Sequence, residues 1–238
     1  MLGIAVQQPF SPPPIDFLDP RPFIPDGTAG RILTLATAAA LAGRPIVIRE
    51  ICRELGLTPG APYSHFDSSA EVESIVVYNG LLTLAQWITE RASRVTTPRT
   101  RLMTACSAYR QWAVSHPKLF GFILPIGGRV HDGPMAHHVM SASRALAVPA
   151  SKALRDGWDS GEFKTPTDGP TTLPLVIDGV VSLDSNETRE ANALWIIVHG
   201  AVAIELSIGT HDGWEETDPM FDWLIDSHVS VHLDESPG

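Results

Sequence analysis

Apolar residues recur every three or four positions along most of the chain after residue 30, and this spacing most constrains the fold. In the first such segment, Ile32, Leu35, Ala36 and Ala39 share one helix face, because an α-helix turns once every 3.6 residues. The spacing, together with capping residues and glycine or proline breaks, predicts helices at 31 to 43, 48 to 55, 58 to 66, 70 to 94, 99 to 115, 118 to 124, 134 to 156, 187 to 208 and 218 to 233. The sequence therefore predicts an all-α fold.

The prolines divide the chain. Residues 1 to 27 hold seven of the twenty prolines, which remove backbone donors and block helix formation, so we expect an extended or mobile arm. Residues 157 to 186 carry three more and are expected to form a long connection. The expected organisation is this arm, a small domain over 28 to 78 and a larger helical domain over 79 to 238.

The charge balance excludes a chain that binds polyanions over its whole surface. Lys and Arg number 17 against 27 Asp and Glu, for a net charge of −10, which would repel a nucleic acid if it were spread evenly. Any nucleic-acid site must therefore be local. Cys52 and Cys106 cannot make a disulfide framework and have no C-x-x-C partner, so we expect a reducing cytoplasm.

The longest apolar run, 193 to 208, is interrupted by His199 and Glu205. It is shorter than the ~20 apolar residues that a membrane span needs, so we interpret it as a helix buried among other helices. The first ten residues have no Lys or Arg ahead of an apolar segment, as a secretory signal would. We expect no membrane partner.

A helix-turn-helix pattern spans 48 to 66. Gly56 ends the first short helix, because glycine accepts the left-handed conformation of a tight turn. Thr58 follows as a natural N-cap, with Pro59 at the first helical position, where a missing donor is tolerated. Residues 67 to 69 give a second capping signal that opens the long helix. The second helix of such a pair is the size that the DNA major groove admits.

Within this pattern, the run ICRELGLTPGAPYSHFDSSAEV resembles the tetracycline-repressor-like (TetR) family. The matching positions are Arg49, Ile51, Gly56, Leu57, Thr58, Gly60, Tyr63, His65 and Phe66. The resemblance covers about 31 to 78 and implies a three-helix DNA-reading domain, joined by a long helix to a helical effector-binding and dimerisation domain. It also implies an effector-responsive regulator, usually a repressor, that binds a palindromic double-stranded DNA operator as a homodimer and is released by a small molecule.

A second resemblance lies at 195 to 200, where WIIVHG looks like the Trp, then His-Gly signature in the C-terminal domain of one branch of that family. The branch also favours the Ala-Pro-Tyr form found at 61 to 63. The two matches lie far apart and in the expected order, so each supports the other.

The residues expected to contact DNA lie between 44 and 69. Arg49 can offer its guanidinium to a guanine edge or a phosphate, and the Tyr63 hydroxyl can reach a phosphate oxygen. The helix N-termini at Thr58 and Ser69 offer backbone N–H groups. The predicted set, which depends largely on the resemblance, is Arg44, Arg49, Thr58, Pro59, Ala61, Tyr63, His65 and Ser69.

The chain departs from the family's pattern in two places. Ser69 stands where a phosphate-binding lysine is usual, and Val47, which cannot cap, stands where a Ser or Thr caps the second helix. Pro62 removes a first-turn donor, so we expect a distorted recognition helix. Residues 43 to 66 hold three Arg against two Glu, so affinity must depend on specifically placed donors rather than on bulk charge.

The C-terminal domain is expected to hold an effector pocket and a dimer surface. An apolar cavity with a few polar groups is predicted from Met103, Tyr109, Trp112, His116, Phe120, Phe122, Met140 and Trp158, and it favours an uncharged, apolar or aromatic effector. The last two helices are expected to form a four-helix bundle with their counterparts through Trp195, His199, Gly200, Ile204, Phe221 and Leu224. Any of the pocket residues can equally be core, and for Trp195 and His199 the packed core is the favoured interpretation. Gly200 indicates close approach of a neighbouring helix.

Neither metal binding nor catalysis is indicated. His228 and His232 are four residues apart but have no Cys or Glu at ligand spacing beside them, and the adjacent His137 and His138 face different directions on a helix. The G-x-S-x-G, G-x-x-x-x-G-K-[ST] and H-E-x-x-H motifs are absent, and no cofactor is expected. The alternative to a regulator is an all-α small-molecule-binding or protein-interaction module that does not use DNA.

Overall fold

The structure is a computed structural model that describes residues 12, 15, 16, 19 to 125, 135 to 164, 186 to 208 and 217 to 233. Within them the regular elements are helical: α1 Gly27–Leu41, α2 Ile48–Leu55, a 3₁₀ turn Ala61–Ser64, α3 Ser69–Ala92, α4 Pro98–Ser115, α5 Pro117–Ile123, α6 Ala136–Ala145, α7 Val148–Ser160, α8 Asn186–Ile208 and α9 Thr217–His232. The all-α prediction is confirmed. Most of the predicted connection after α7 lies outside the described residues.

The chain folds into two compact units that are not contiguous in sequence. Unit 1 contains residues 1 to 83 and 116 to 143, and unit 2 contains 84 to 115 and 144 to 238. The predicted boundary after residue 78 assigned α5 to the C-terminal domain, whereas α5 belongs to unit 1, where it packs against α1. Residues of α3 contribute to both units, because the boundary falls within this helix.

The core of unit 1 forms where the apolar stripe of α1 packs against α2 and α5. Ile32 and Leu33 of α1 are almost completely buried, and so is Phe66 after the 3₁₀ turn. Burial of each such side chain contributes about 1.5 to 3 kcal/mol. Gly80 lets α5 approach α3 closely, since a Cβ at this position would lie 2.7 Å from Cγ2 of Ile123.

Residues 19 to 26 of the predicted arm pack within unit 1 against α1 and α3. The side chain of Asn79 in α3, which is buried, makes two hydrogen bonds with the backbone of Phe23: Oδ1 accepts its N–H at 2.8 Å and Nδ2 donates to its carbonyl at 2.9 Å. The Pro25 carbonyl oxygen lies 2.0 Å from the place that a Cβ at Gly30 would occupy, so the path of the arm requires glycine there. These residues have no regular secondary structure before α1, and the two hydrogen bonds attach them to α3.

Unit 2 is built around α4, which packs against α7, α8 and α9. At the contact with α8, Arg110 and Glu205 form a bidentate ion pair, with Nε to Oε2 at 2.8 Å and Nη2 to Oε1 at 2.6 Å. Both side chains are about nine-tenths buried. Because buried charges are costly unless they are paired, the position of α8 on α4 is coupled to this contact.

The predicted helix over 134 to 156 is two helices, α6 and α7, with Leu146 and Ala147 between them. Pro149 has no backbone N–H and cannot donate to the carbonyl four residues earlier, as a continuous helix requires. Proline is tolerated in the first turn of a helix, so a new helix starts here. The apolar spacing continues across the break, which is why periodicity alone predicted one helix.

The apolar run near the C-terminus forms most of α8. Its segment Glu190–Ile208 is the one helix of the described ranges that is long and apolar enough to cross a membrane, with a mean hydropathy of 1.6. Leu194 and Val198 are buried within unit 2, whereas Ile196 and Ile204 are exposed. The helix therefore has one packed face and one exposed apolar face, and it is not buried on all sides as predicted.

Candidate nucleic-acid interface and C-terminal groove

The turn after α2 has the predicted geometry. Gly56 has a φ of +66°, in the left-handed region, and the Leu57 N–H donates to the Cys52 carbonyl at 2.8 Å. This bond satisfies a carbonyl that the helix end leaves without a partner. At its start, α2 has no side-chain cap, as expected with Val47 in that position.

The segment after this turn is shorter than predicted. The sequence predicts a helix over 58 to 66 capped by the Thr58 hydroxyl, but the structure has one 3₁₀ turn, Ala61–Ser64, without a side-chain cap. Thr58 instead accepts the N–H of residue 61 through its backbone carbonyl at 3.0 Å. Pro62 is the physical reason, because it lacks the N–H that a longer helix would use. The predicted cap is wrong, and the predicted distortion is confirmed.

Most side chains predicted to contact DNA are exposed on unit 1. Tyr63 is 54% exposed, although tyrosine usually buries much of its ring. His65 is also exposed, and its ring meets the buried ring of Phe66 edge to face, with centroids 6.4 Å apart. The remaining members of the set are exposed at Arg44, Arg49, Thr58, Pro59 and Ser69 and half-buried at Ala61. The turn therefore exposes polar and aromatic side chains to solvent, while the adjacent Phe66 packs in the core of unit 1.

α3 begins with a variant of the capping box. The Ser68 hydroxyl accepts the Glu71 N–H at 3.2 Å, and the Glu71 carboxylate accepts the N–H of Asp67, the residue before the cap, whereas the standard motif uses the N–H of the cap residue itself. The capping signal at 67 to 69 is thus confirmed, with Ser68 as the cap. One of the backbone N–H groups expected to be available for a phosphate is occupied by this cap.

The residues predicted to line an effector pocket are divided between the two units. Unit 1 contains His116, Phe120, Phe122 and Met140, and unit 2 contains Met103, Tyr109, Trp112 and Trp158. Tyr109 and Trp112 are core residues of unit 2, and the Trp158 indole donates to the Lys164 carbonyl at 3.1 Å. Within unit 2, Met103 alone of the predicted residues borders the groove described next.

An open groove with a volume of about 560 Å³ lies in unit 2. Its lining comes from α3 (Arg91), from α4 (Met103, Thr104, Ser107, Ala108 and Gln111) and from α9 (Asp222, Trp223 and Asp226). Sequence reasoning missed the residues of α9. The spacing of Asp222 and Asp226 places both on one polar face of α9, but the sequence of α9 does not indicate that α4 packs beside this face.

Three of the predicted dimer residues make contacts within unit 2. The rings of Trp195 and His199 are stacked, with centroids 4.8 Å apart, and His199 Nδ1 lies 2.8 Å from the Tyr109 hydroxyl. Burial lowers the pKa of His199, because desolvation favours the neutral imidazole. Phe221 is 5% exposed. Phe221 is thus a core residue of unit 2, whereas Trp195 and His199 are half-buried and contact each other and Tyr109.

The other predicted dimer residues are more accessible. Ile204 is 61% exposed, Leu224 is half-buried, and a Cβ at Gly200 would meet no described atom within 4 Å. No helix of the described part of the chain therefore approaches Gly200 closely. The exposed apolar side chains that the prediction missed on these helices are Ile196, Ile208, Met220 and Trp223.

The histidines considered for metal binding do not converge on a shared site in the described residues. His137 and His138 lie edge to face, 6.0 Å apart, and His228 Nε2 is 3.9 Å from a Glu190 carboxylate oxygen. Among the described side chains, which do not include that of His232, no three His, Cys, Asp or Glu residues are grouped as metal ligands would be.

The comparisons with known proteins identify relatives of the C-terminal residues and of the fold. A family model described as "Tetracyclin repressor-like, C-terminal domain" matches residues 102 to 228, more than half of the chain. A Rhodococcus sp. RHA1 protein of unknown function aligns over 88% of this chain and 95% of its own, with 20% identity and a TM-score of 0.62. The ketosteroid transcriptional regulator KstR2 of Mycobacterium tuberculosis aligns over 91% and 100%, with 15% identity and a TM-score of 0.55. PfmR, a TetR family transcriptional regulator of Thermus thermophilus, aligns over 90% and 100%, with 16% identity and a TM-score of 0.51. No curated protein matches the chain.

Proposed function

The chain belongs to the tetracycline-repressor-like family of transcriptional regulators, and we propose that it is a repressor that binds a palindromic operator as a homodimer and releases it when a small molecule binds. The observation that carries the proposal is the exposed 3₁₀ turn of unit 1. Tyr63 and His65 are at the surface there, while Phe66 beside them is buried. A turn that served only as packing would bury the tyrosine ring, because an aromatic side chain gains most of its free energy from burial.

Recognition of DNA by this turn depends on a few specifically placed donors. The Tyr63 hydroxyl and the Arg49 guanidinium suit phosphate oxygens, and a guanidinium can also bind a guanine edge through two hydrogen bonds. His65 is the third group that can reach a base or a phosphate. A single 3₁₀ turn offers fewer side chains than a full recognition helix. A pair of turns in successive major grooves, ~34 Å apart, makes up for this by doubling the contacts.

The second copy is proposed to cover the apolar face of α8. Ile196, Gly200, Ile204 and Ile208 recur every four residues on this face, and the three isoleucines are exposed, with Met220 of α9 exposed as well. Apolar stripes of this kind mark interaction surfaces, and an isologous pairing about a two-fold axis buries the same stripe in both subunits. We propose that a second subunit, rather than lipid, covers α8, and that the protein acts in the cytoplasm.

Release of DNA requires that the small molecule bind one conformation more tightly than the other. α3 is the element suited to transmit the change, because its first residues belong to unit 1 and its last to unit 2. A ligand that displaced its C-terminal part would alter the separation of the two readers in the dimer.

The experiment that tests the function is selection of bound duplexes from a random DNA pool by the full-length protein. We expect a palindrome, and the double variant Arg49→Ala/Tyr63→Ala should lose its binding while keeping its circular dichroism spectrum. Arg94→Ala, which removes an exposed cation in unit 2, is the matched control and should bind as the unmodified protein does. Failure to select any sequence would favour the all-α small-molecule-binding or protein-interaction module.

A further inference from the structure

The unit 2 groove has two carboxylates, Asp222 and Asp226, and they differ in whether a cation is paired with them. Asp226 accepts a hydrogen bond from Arg99 at 2.8 Å and is ion-paired with it. Asp222, one helical turn earlier on the same face of α9, accepts a long hydrogen bond from the Ser107 hydroxyl at 3.3 Å. It takes part in none of the ion pairs formed among the described residues. The groove therefore contains one carboxylate that forms a hydrogen bond with Ser107 but no ion pair with a cation of the described residues.

The cation that lines the groove is engaged elsewhere. The Arg91 guanidinium lies over the Trp87 indole, with its carbon 3.0 Å from the ring centroid. Such stacking fixes a guanidinium by attraction to the ring face. Arg91 therefore forms a wall of the groove, where it keeps its charge but forms no ion pair with Asp222.

An exposed aromatic ring lies beside these carboxylates. Trp223 is 67% exposed, the largest exposed fraction among the large apolar side chains of the described residues, and the same groove is lined by the apolar residues Met103 and Ala108. An indole face next to a carboxylate attracts an organic cation by cation–π and charge interactions together. The apolar side chains provide contact for the rest of such a molecule, and Thr104 and Gln111 provide hydrogen-bonding groups.

We propose that this groove binds an organic cation, a small molecule with an ammonium group attached to an apolar body. The cationic group pairs with Asp222, the Trp223 ring covers it, and the apolar body lies along α4. The volume of about 560 Å³ is within the range of about 300 to 1,000 Å³ typical of small-molecule sites. This ligand class differs from the uncharged effector expected from the sequence. The proposal goes beyond the proposed function and does not depend on DNA binding.

The test is isothermal titration calorimetry on the full-length protein without DNA. The probes are 4-phenylbutylamine and its neutral analogue 4-phenylbutanol, which differ in charge and little in shape. We expect the amine to bind at least about tenfold more tightly than the alcohol, and Asp222→Asn and Trp223→Ala each to weaken amine binding about tenfold. Both side chains lie at the surface, so the variants should keep the fold, which circular dichroism checks. The matched control is Asp159→Asn, which removes an exposed carboxylate of α7 outside the groove and should leave binding unchanged.

Several results would overturn the proposal. Absence of binding by the amine excludes the site, and equal binding of amine and alcohol excludes a cation site. An equal loss in Asp159→Asn would mean that the amine responds to the overall negative charge of the chain. A Trp223→Ala variant that becomes monomeric in gel filtration but binds the amine normally would assign the ring to the contact with a second copy. Because DNA is absent from each measurement, failure here is distinguishable from failure of the proposed function.

Discussion

The contact between the arm and α1 predicts an unusual effect of replacing glycine by alanine in a helix. Alanine in place of a glycine normally stabilises a helix by up to about 1 kcal/mol. At Gly30 the added Cβ would lie 2.0 Å from the Pro25 carbonyl oxygen, far inside van der Waals contact. The obstacle is backbone, so Gly30→Ala forces the arm to move by more than an ångström.

The size of the effect follows from what that movement breaks. The arm is fixed by the two hydrogen bonds between Phe23 and the buried Asn79 side chain, each with a net contribution of about 1 kcal/mol. A buried amide left without partners adds a penalty of about 1 to 3 kcal/mol. After subtraction of the helix gain, Gly30→Ala should destabilise the protein by about 2 to 4 kcal/mol, which lowers Tm by several degrees.

The assay is thermal and urea unfolding of Gly30→Ala beside Gly121→Ala. Gly121 is also in a helix of unit 1, and a Cβ there would meet no described atom within 4 Å, so this control should be neutral or stabilised. Asn79→Ala removes the same two hydrogen bonds from the other side, so its effect should combine with that of Gly30→Ala less than additively. A Gly30→Ala protein at least as stable as the unmodified one would refute the reasoning.

Three further predictions concern unit 2. Ile204→Glu should convert the proposed dimer to a monomer in gel filtration, while Ile24→Glu, at an exposed site of unit 1, should not; a dimeric Ile204→Glu would contradict the proposed surface. Arg110→Ala removes the bidentate ion pair with the buried Glu205 and should lower the free energy of unfolding in urea by about 3 kcal/mol, whereas a loss below about 1 kcal/mol would show that the pair is solvated. The folded-state pKa of His199 is lowered by burial, so the unfolded chain takes up this proton first as the pH falls below the usual histidine pKa of about 6.5. Stability should therefore decrease from pH 7 to pH 5, and less steeply in His199→Gln; an identical pH dependence in both proteins would contradict this assignment.

Helix ends that depend on neighbouring residues were predictable from the sequence. α2 has the predicted bounds because Gly56 supplies the left-handed residue directly after it. α3 starts at the predicted capping signal because the Ser68 hydroxyl accepts the Glu71 N–H and the Glu71 carboxylate accepts the Asp67 N–H. The recognition segment was predicted less well. Its cap and its proline make opposite predictions, and the missing donor of Pro62 outweighed the capping preference of Thr58.

The exposed and buried faces of the C-terminal helices were not predictable in the same way. Whether His199 points inward depends on Tyr109, which lies 90 residues away in sequence, and periodicity on α8 does not contain that information. The same holds for Asp222 and Trp223, which form a groove only because α4 lies beside α9. A helical wheel identifies two faces of each helix, but the tertiary contacts decide which one becomes core.

The charges of residues 43 to 66, the segment proposed to contact DNA, limit how strongly salt can weaken DNA binding. Between residues 43 and 66 the cations are Arg44, Arg49 and Arg53, all exposed, with Glu50 and Glu54 on the same helix as the last two. If every arginine of both subunits neutralised one phosphate, log K would fall against log salt with a slope of about −5. The glutamates reduce the local positive potential, so we expect a slope between about −2 and −5. The measurement is the affinity for the selected operator by fluorescence anisotropy from about 50 to 200 mM salt, a range over which counterion release changes affinity strongly. A slope steeper than about −7 would require cations outside this segment to contact DNA, and the argument that affinity depends on a few specifically placed donors would then be wrong.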